Sequence, residues 1–318
     1  MLQTRFTRAF NLAHPIALAP MADVAGGALA GAVARAGGLG LLGGGYGDRD
    51  WIAREWAEAC GAPIGVGFIT WSLTPALLDE TLARGPRAIL LSFGDPAPFA
   101  PAIHAAKIPL LCQCQTLDHA RAALDAGATV LIAQGAEAGG HGATRATMTL
   151  VPEVADHLAQ HAPDTLLLAA GGIADGRGLA AAFILGADGV LMGSRLWAST
   201  EALVPTGFHD AATNATGDTT LRTRAPDAAR LLDWPDPFTI HVLRSAFTDR
   251  WHKAPAALRF DQAAREAFTQ TQAKGCATNG APVMGEAVGL ITSIAPAAPL
   301  LDQITTQAAT LPTQGPRP

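Results

Sequence analysis

One histidine of nine stands where its type and neighbours suit chemistry. His141 lies in the run Ala133-Gln134-Gly135-Ala136-Glu137-Ala138-Gly139-Gly140-His141-Gly142, with glycine on both sides. A residue so placed is not on a helix face, and an imidazole that titrates near neutrality can pass a proton. Glu137 in the same run reads equally as an orienting carboxylate or as a solvated one. Two further runs are glycine turns that follow apolar stretches: Ala170-Gly171-Gly172-Ile173-Ala174-Asp175-Gly176 and Met192-Gly193-Ser194-Arg195. Turns of this kind, feeding helix starts, present unpaired N–H groups and suit a phosphate.

Other candidates read as structural. His14, His104, His119 and His157 fall on helical patterns or before proline. Cys112 and Cys114 share one face of a strand pattern, and with no second pair at zinc spacing they read as wall residues, so no metal is expected. Gly38-Leu39-Gly40-Leu41-Leu42-Gly43 matches a dinucleotide fingerprint by letter, but it runs into a strand instead of out of one. No Walker A, His-Glu-x-x-His or Gly-x-Ser-x-Gly string is present. Lys107, Lys253 and Lys274 are the only lysines, and none sits at a strand end as a Schiff-base aldolase would require.

The elements that must position these residues alternate with near-regular spacing. Strands are predicted at 15–21, 39–43, 64–70, 88–93, 109–115, 129–134, 165–170 and 189–192. Helices are predicted at 27–36, 50–59, 75–83, 99–107, 117–126, 151–161 and 178–185. Eight strand–helix alternations predict an α/β protein of the (β/α)8 TIM-barrel class, with an open doubly wound sheet as the second choice. Its site belongs at the C-terminal ends of the strands, and a phosphate belongs after strands seven and eight. Beyond residue 199 the pattern turns to short helices broken by prolines. It predicts a small helical subdomain, 206–281, inserted after the eighth strand of a barrel made of 1–205 and 282–318. A return helix at 285–294, a last helix at 300–310 and a frayed tail at 312–318 complete the reading.

The chain has 318 residues, 49% of them hydrophobic and 15% charged, with a net charge of -5. That composition supports a large core, and the missing basic patch excludes nucleic-acid binding. No signal peptide or membrane-spanning run is visible, so a soluble, cytoplasmic protein is expected. Small-molecule substrates are expected partners, and a homodimer is an admissible assembly.

Taken together, these strings resemble the nitronate monooxygenase family, formerly 2-nitropropane dioxygenases. The resemblance runs through Thr4-Arg5-Phe6, His14-Pro15-Ile16, Ala19-Pro20-Met21 and Gly65-Val66-Gly67. It is sharpest at 133–141, 171–176 and 186–195, and weakest in the inserted segment. It implies noncovalent FMN. Pro20, Met21 and Ala22 would lie along the ring system and Gly67 under its edge. Gln134 and Gly139 would bond or pack against the cofactor, and Gly172, Ile173, Gly193 and Ser194 would hold the phosphate. His141 would face the reactive part of the flavin and act on the substrate. The implied reaction is oxidation of an alkyl nitronate with O2 to a carbonyl compound and nitrite, or of the neutral nitroalkane after loss of its α-proton. Two departures stand out: many relatives carry Asn at Gly67, and some carry Lys at Gln113. Phe68, Ile69, Thr70 and Trp71 offer either a bulkier lid or wall packing. NAD(P)H:quinone reductases and FMN-dependent enoyl-acyl-carrier-protein reductases share such strings, and Arg222, Arg224 and Arg230 are either a second nucleotide surface or a solvated face. A noncatalytic flavin scaffold leaves His141 unexplained, and a sugar-phosphate isomerase leaves Ala19-Pro20-Met21 unexplained.

Overall fold

The computed structural model describes residues 2–311, and the tail expected at 312–318 lies outside the described residues. In chain order the strands are β1 (Ile16–Leu18), β2 (Leu41–Gly45), β3 (Gly65–Ile69), β4 (Ile89–Ser92), β5 (Leu110–Cys114), β6 (Val130–Gln134), β7 (Gly140–Gly142), β8 (Leu166–Ala170), β9 (Gly189–Met192), β10 (Thr220–Thr223) and β11 (Thr239–Leu243). Eight of them form one parallel sheet in the order β1-β9-β8-β6-β5-β4-β3-β2. The two ends meet: Ala17 bridges Leu39, with Leu18 N–H donating to Leu39 O at 2.9 Å and Leu39 N–H to Ile16 O at 3.0 Å. The predicted (β/α)8 barrel is therefore the fold, and predicted strands seven and eight are β8 and β9.

Alternation along each strand divides the core in two. Ala17, Leu41, Leu90, Leu111, Ile132, Leu168 and Leu191 fill the barrel, whereas Ile16, Leu42, Ile89, Leu110, Leu131, Leu167 and Val190 face the helices. A helix absent from the sequence reading, Arg5–Phe10, plugs the lower end with Phe6 and Phe10. Thr4 starts it by accepting from Thr7 N–H, while Thr7 Oγ1 accepts from Thr4 N–H. The discounted glycine string has a packing cause. A Cβ on Gly40 would stand 2.0 Å from Ala30 O, and one on Gly43 would stand 2.2 Å from Met21 O.

The inserted segment is helical at Thr206–Thr213, Ala225–Ala229, Ala246–Trp251, Pro255–Leu258 and Gln262–Ala273. It also contributes β10 and β11, which sequence patterning did not show. They pair antiparallel, and β11 pairs with β7 from the loop after β6, matching Ile240 to His141. The return helix expected at 285–294 is a single 3-10 turn, Glu286–Leu290. Glu286 N–H donates to Glu137 O at 3.0 Å, and Gly289 disfavours continuing as an α-helix. The last helix, Ala297–Thr310, buries Leu301, Ile304 and Ala308 against helices Gly27–Arg35 and Gly176–Ile184. No helix among the described residues is long and apolar enough to cross a membrane.

Candidate active site

Small residues at the upper strand ends leave a cavity of about 490 Å³ between the barrel and the inserted segment. Pro20, Met21, Ala22, Gly67, Gln134, Gly139, His141, Gly193 and Ser194 all line it. Gly172 and Ile173 do not. They form the turn after β8, where Gly171 and Gly172 take φ of 103° and 73°, a left-handed path that glycine adopts without strain. Among the described residues, the amides of Gly172, Ile173, Gly193 and Ser194 donate to no protein acceptor. Ser194 Oγ accepts from Gly285 N–H at 3.1 Å and keeps its own hydrogen to give.

Gly67 also has a steric cause within the protein. A Cβ there would stand 2.2 Å from Pro20 Cγ, so the Pro20 ring already fills the space a larger residue would use. Gln134 is a hub. Its Nε2 donates to His141 O at 3.1 Å, and its Oε1 accepts from Gln113 Nε2 at 3.1 Å and Gln115 Nε2 at 2.9 Å. The strand β6 side chain thus fixes the main chain of the histidine. Glu137 is half-buried and tied down: its carboxylate accepts from Thr147 N–H at 3.0 Å and Thr147 Oγ1 at 2.9 Å. It caps the helix Thr147–His161, which is why that helix begins four residues before its predicted start.

His141 is buried with Asp227, their side chains only 8% and 4% exposed. Nε2 of His141 lies 3.0 Å from both carboxylate oxygens of Asp227, and Arg230 Nη2 donates to Oδ1 of the same carboxylate at 3.1 Å. Trp234 stacks on the imidazole with centroids 3.4 Å apart and planes 8° from parallel. Trp234 Nε1 donates to Tyr46 OH at 3.0 Å, and Phe93 meets Trp234 edge-on. Burial lowers the His141 pKa, and Asp227 opposes that shift without reversing it. In its neutral form the imidazole has a single ring hydrogen to place. With a carboxylate against Nε2, the ring hydrogen belongs on Nε2, and Nδ1 is left with a lone pair and no protein partner among the described residues. A neutral imidazole with one free nitrogen on a cavity wall can accept a proton or bind an oxygen donor.

The inserted segment also holds the loop that carries His141. Arg222 donates from Nε and Nη2 to Ala136 O, from Nη2 to Ala138 O and from Nη1 to Thr239 O, at 2.8–3.1 Å. Burial lowers its pKa to about 10. His241 Nδ1 lies 3.1 Å from Ala138 O and Nε2 lies 2.9 Å from Thr220 Oγ1. Burial and the Arg222 charge push its pKa down to about 4. The solvated face considered for the three arginines is thus incorrect for Arg222. Arg224 pairs with Asp236, and Arg230 with Asp227. The other histidines meet neighbours suited to structure, with His14 Nδ1 2.9 Å from Thr305 Oγ1 and His104 Nε2 3.0 Å from Ala126 O. Burial pushes the Cys112 and Cys114 thiols up, Cys114 to about 12, and no group of described residues could hold a metal.

Asp227 and Trp234 were not singled out as site residues by sequence, and Arg222 was considered only as a nucleotide surface or a solvated face. Asp227 lies 86 residues from His141, and no local pattern ties the two together. The signal that existed was weak: a lone acid in Ala225-Pro226-Asp227-Ala228-Ala229, surrounded by small apolar residues.

Comparison with known proteins bears on this geometry. The family model described as nitronate monooxygenase matches residues 3–71 and 75–307. A nitronate monooxygenase of Metarhizium robertsii is 36% identical, across 91% of this chain and 89% of that protein. Among solved structures, FabK from Thermotoga maritima is similar with a TM-score of 0.86 and 27% identity, covering 98% of both chains. Nitroalkane oxidase from Streptomyces ansochromogenes is similar with a TM-score of 0.83 and 25% identity, covering 98% of this chain and 99% of that one.

Proposed function

We propose that this chain, which belongs to the nitronate monooxygenase family, oxidises alkyl nitronates with O2 to carbonyl compounds and nitrite, using FMN at the top of the barrel. The observation that carries this reading is the cavity that brings His141 to one wall and the Gly193-Ser194 turn to another. The residues fit the cofactor. Four amides without protein acceptors, at Gly172, Ile173, Gly193 and Ser194, suit a phosphate. Pro20, Met21 and Ala22 give an apolar wall for the ring, and Gly139 lines the same cavity. FMN, when bound, supplies the electron acceptor for the nitronate.

The chain's own residues bind and orient. His141 Nδ1 meets the substrate at the nitro group or its neighbouring carbon. Gln134 fixes the histidine's main chain, and Trp234 with Tyr46 and Phe93 shields its ring from water. The inserted segment, 206–281, belongs to this proposal as the part that completes the site on the barrel of 1–205 and 282–318. A FabK-like, NAD(P)H-dependent reductase is the second reading, favoured by the structural similarity to FabK. It is the weaker one, because Arg222 and Arg230, two of the three arginines suited to a second nucleotide, are committed inward to carbonyls and to Asp227.

The test is oxygen uptake and nitrite release by the purified, yellow protein on addition of propyl-2-nitronate. Both are expected in the absence of any nicotinamide. Oxygen uptake that requires NADH and yields no nitrite would replace this reading with the reductase.

A further inference from the structure

We infer that Asp227 is the positioning residue that holds His141 with its hydrogen on Nε2, so that the lone pair on Nδ1 is the one offered to substrate. The inference rests on the proposed function and deepens it by naming the residue that sets the state of its histidine.

The geometry carries it. Asp227 reaches His141 from the inserted segment, on the short helix Ala225–Ala229, and both its oxygens lie 3.0 Å from Nε2. Arg230 fixes the carboxylate from the other side. Trp234 stacking allows the ring to keep one plane, and the pairing of Ile240 with His141 fixes its backbone. In this orientation only a hydrogen on Nε2 satisfies the Asp227 carboxylate, so the tautomer is set by a residue that need not touch substrate. The charged and titratable groups around the imidazole are Asp227 and Arg230, Arg222 on β10, and Tyr46 beyond Trp234.

A preformed nitronate carries a negative charge and needs no base. A neutral nitroalkane does. In that step the Cα–H bond breaks, the proton forms a bond to Nδ1, and the carbon electron pair moves onto the nitro group to give the nitronate. The imidazolium so formed faces a carboxylate already in contact with its other nitrogen, which stabilises the new charge. The requirement for base and carboxylate together is what separates the two substrate classes at this site.

The experiment has two parts on the full-length, cofactor-loaded protein. First, the ring nitrogens of His141 are observed by NMR in 15N-histidine-labelled protein, assigned by loss of its signals in His141→Gln. The expected result is a hydrogen on Nε2 and a lone pair on Nδ1 at neutral pH. A hydrogen on Nδ1 overturns the inference without any variant. Second, kcat/KM is measured against pH for nitroethane and for preformed ethyl nitronate in wild type, Asp227→Asn and Asp227→Glu. Asp227→Asn is expected to lose about a hundredfold or more on nitroethane but less than about tenfold on the nitronate. Asp227→Glu should recover part of the loss. Equal losses on both substrates would make Asp227 merely structural and overturn the inference, as would a wild type that oxidises the nitronate but ignores nitroethane. A wild type inert to both would remove the proposed function itself, and the NMR result would still decide what Asp227 does to His141.

Discussion

The barrel and the inserted segment contribute to one site by different means. The barrel presents a surface: apolar strands with alanine and glycine at their upper ends, which leave a cavity and unpaired amides. The inserted segment presents side chains. Asp227, Trp234, Arg222 and His241 each contact the β7 loop, and β11 pairs with it directly. A shared scaffold can therefore keep its cofactor surface while the insertion sets the state of the histidine above it, consistent with function residing in sites more than in folds.

The largest expected effect falls where the two regions meet. His141→Ala should lower turnover on nitroalkane by about 10²- to 10⁴-fold while the protein remains yellow. Loss of colour would mean that the histidine belongs to the barrel's cofactor surface, and unchanged turnover would mean that it is structural.

Next comes the clamp. Arg222→Ala leaves the carbonyls of Ala136, Ala138 and Thr239 without their charged donor, and should cost about 3 kcal/mol in urea unfolding. A loss below about 0.5 kcal/mol, the range of an ordinary surface substitution, would show that the insertion rests on the loop without holding it.

A pH effect of similar or smaller size should come from His241. Its folded pKa of about 4 lies below the ordinary 6.5, so the unfolded chain binds more protons between those values. Stability is complete above about pH 6.5 and falls as the pH drops toward 4, by up to about 3 kcal/mol if the whole shift is expressed. Stability curves at successive pH values for wild type and His241→Gln check this. The same acid-side loss in both proteins would assign it elsewhere.

The smallest effect belongs to the barrel. Gly67→Ala drives a Cβ into the Pro20 ring and should cost about 1–3 kcal/mol, with a shift in the visible band of the bound flavin. No change in either would show that Pro20 moves freely and that this wall is not set by packing.

Legibility in the sequence followed the same division. Strand and helix periods, the glycine turns after β8 and β9 and the glycine-flanked His141 are local patterns, and each was readable. The helix Arg5–Phe10 was missed because its capping box is built from two threonines, without the acid or glutamine that marks such a start. β10 and β11 were missed because short strands in a proline-broken stretch carry little alternation. Asp227 was missed for a deeper reason: its partner is 86 residues away, and only the pairing of β11 with β7 brings them together. The space behind Gly67 was likewise invisible, since a glycine does not announce which side chain fills its place.

The most direct measurement is an anaerobic titration of the purified protein, following its visible absorption, with propyl-2-nitronate in one cuvette and NADH or NADPH in another. The account predicts that the nitronate alone bleaches the band and that His141→Ala slows the bleaching while retaining the band. Bleaching by a nicotinamide and not by nitronate would contradict the proposed reaction, and a well-folded protein with no visible band would contradict the cofactor.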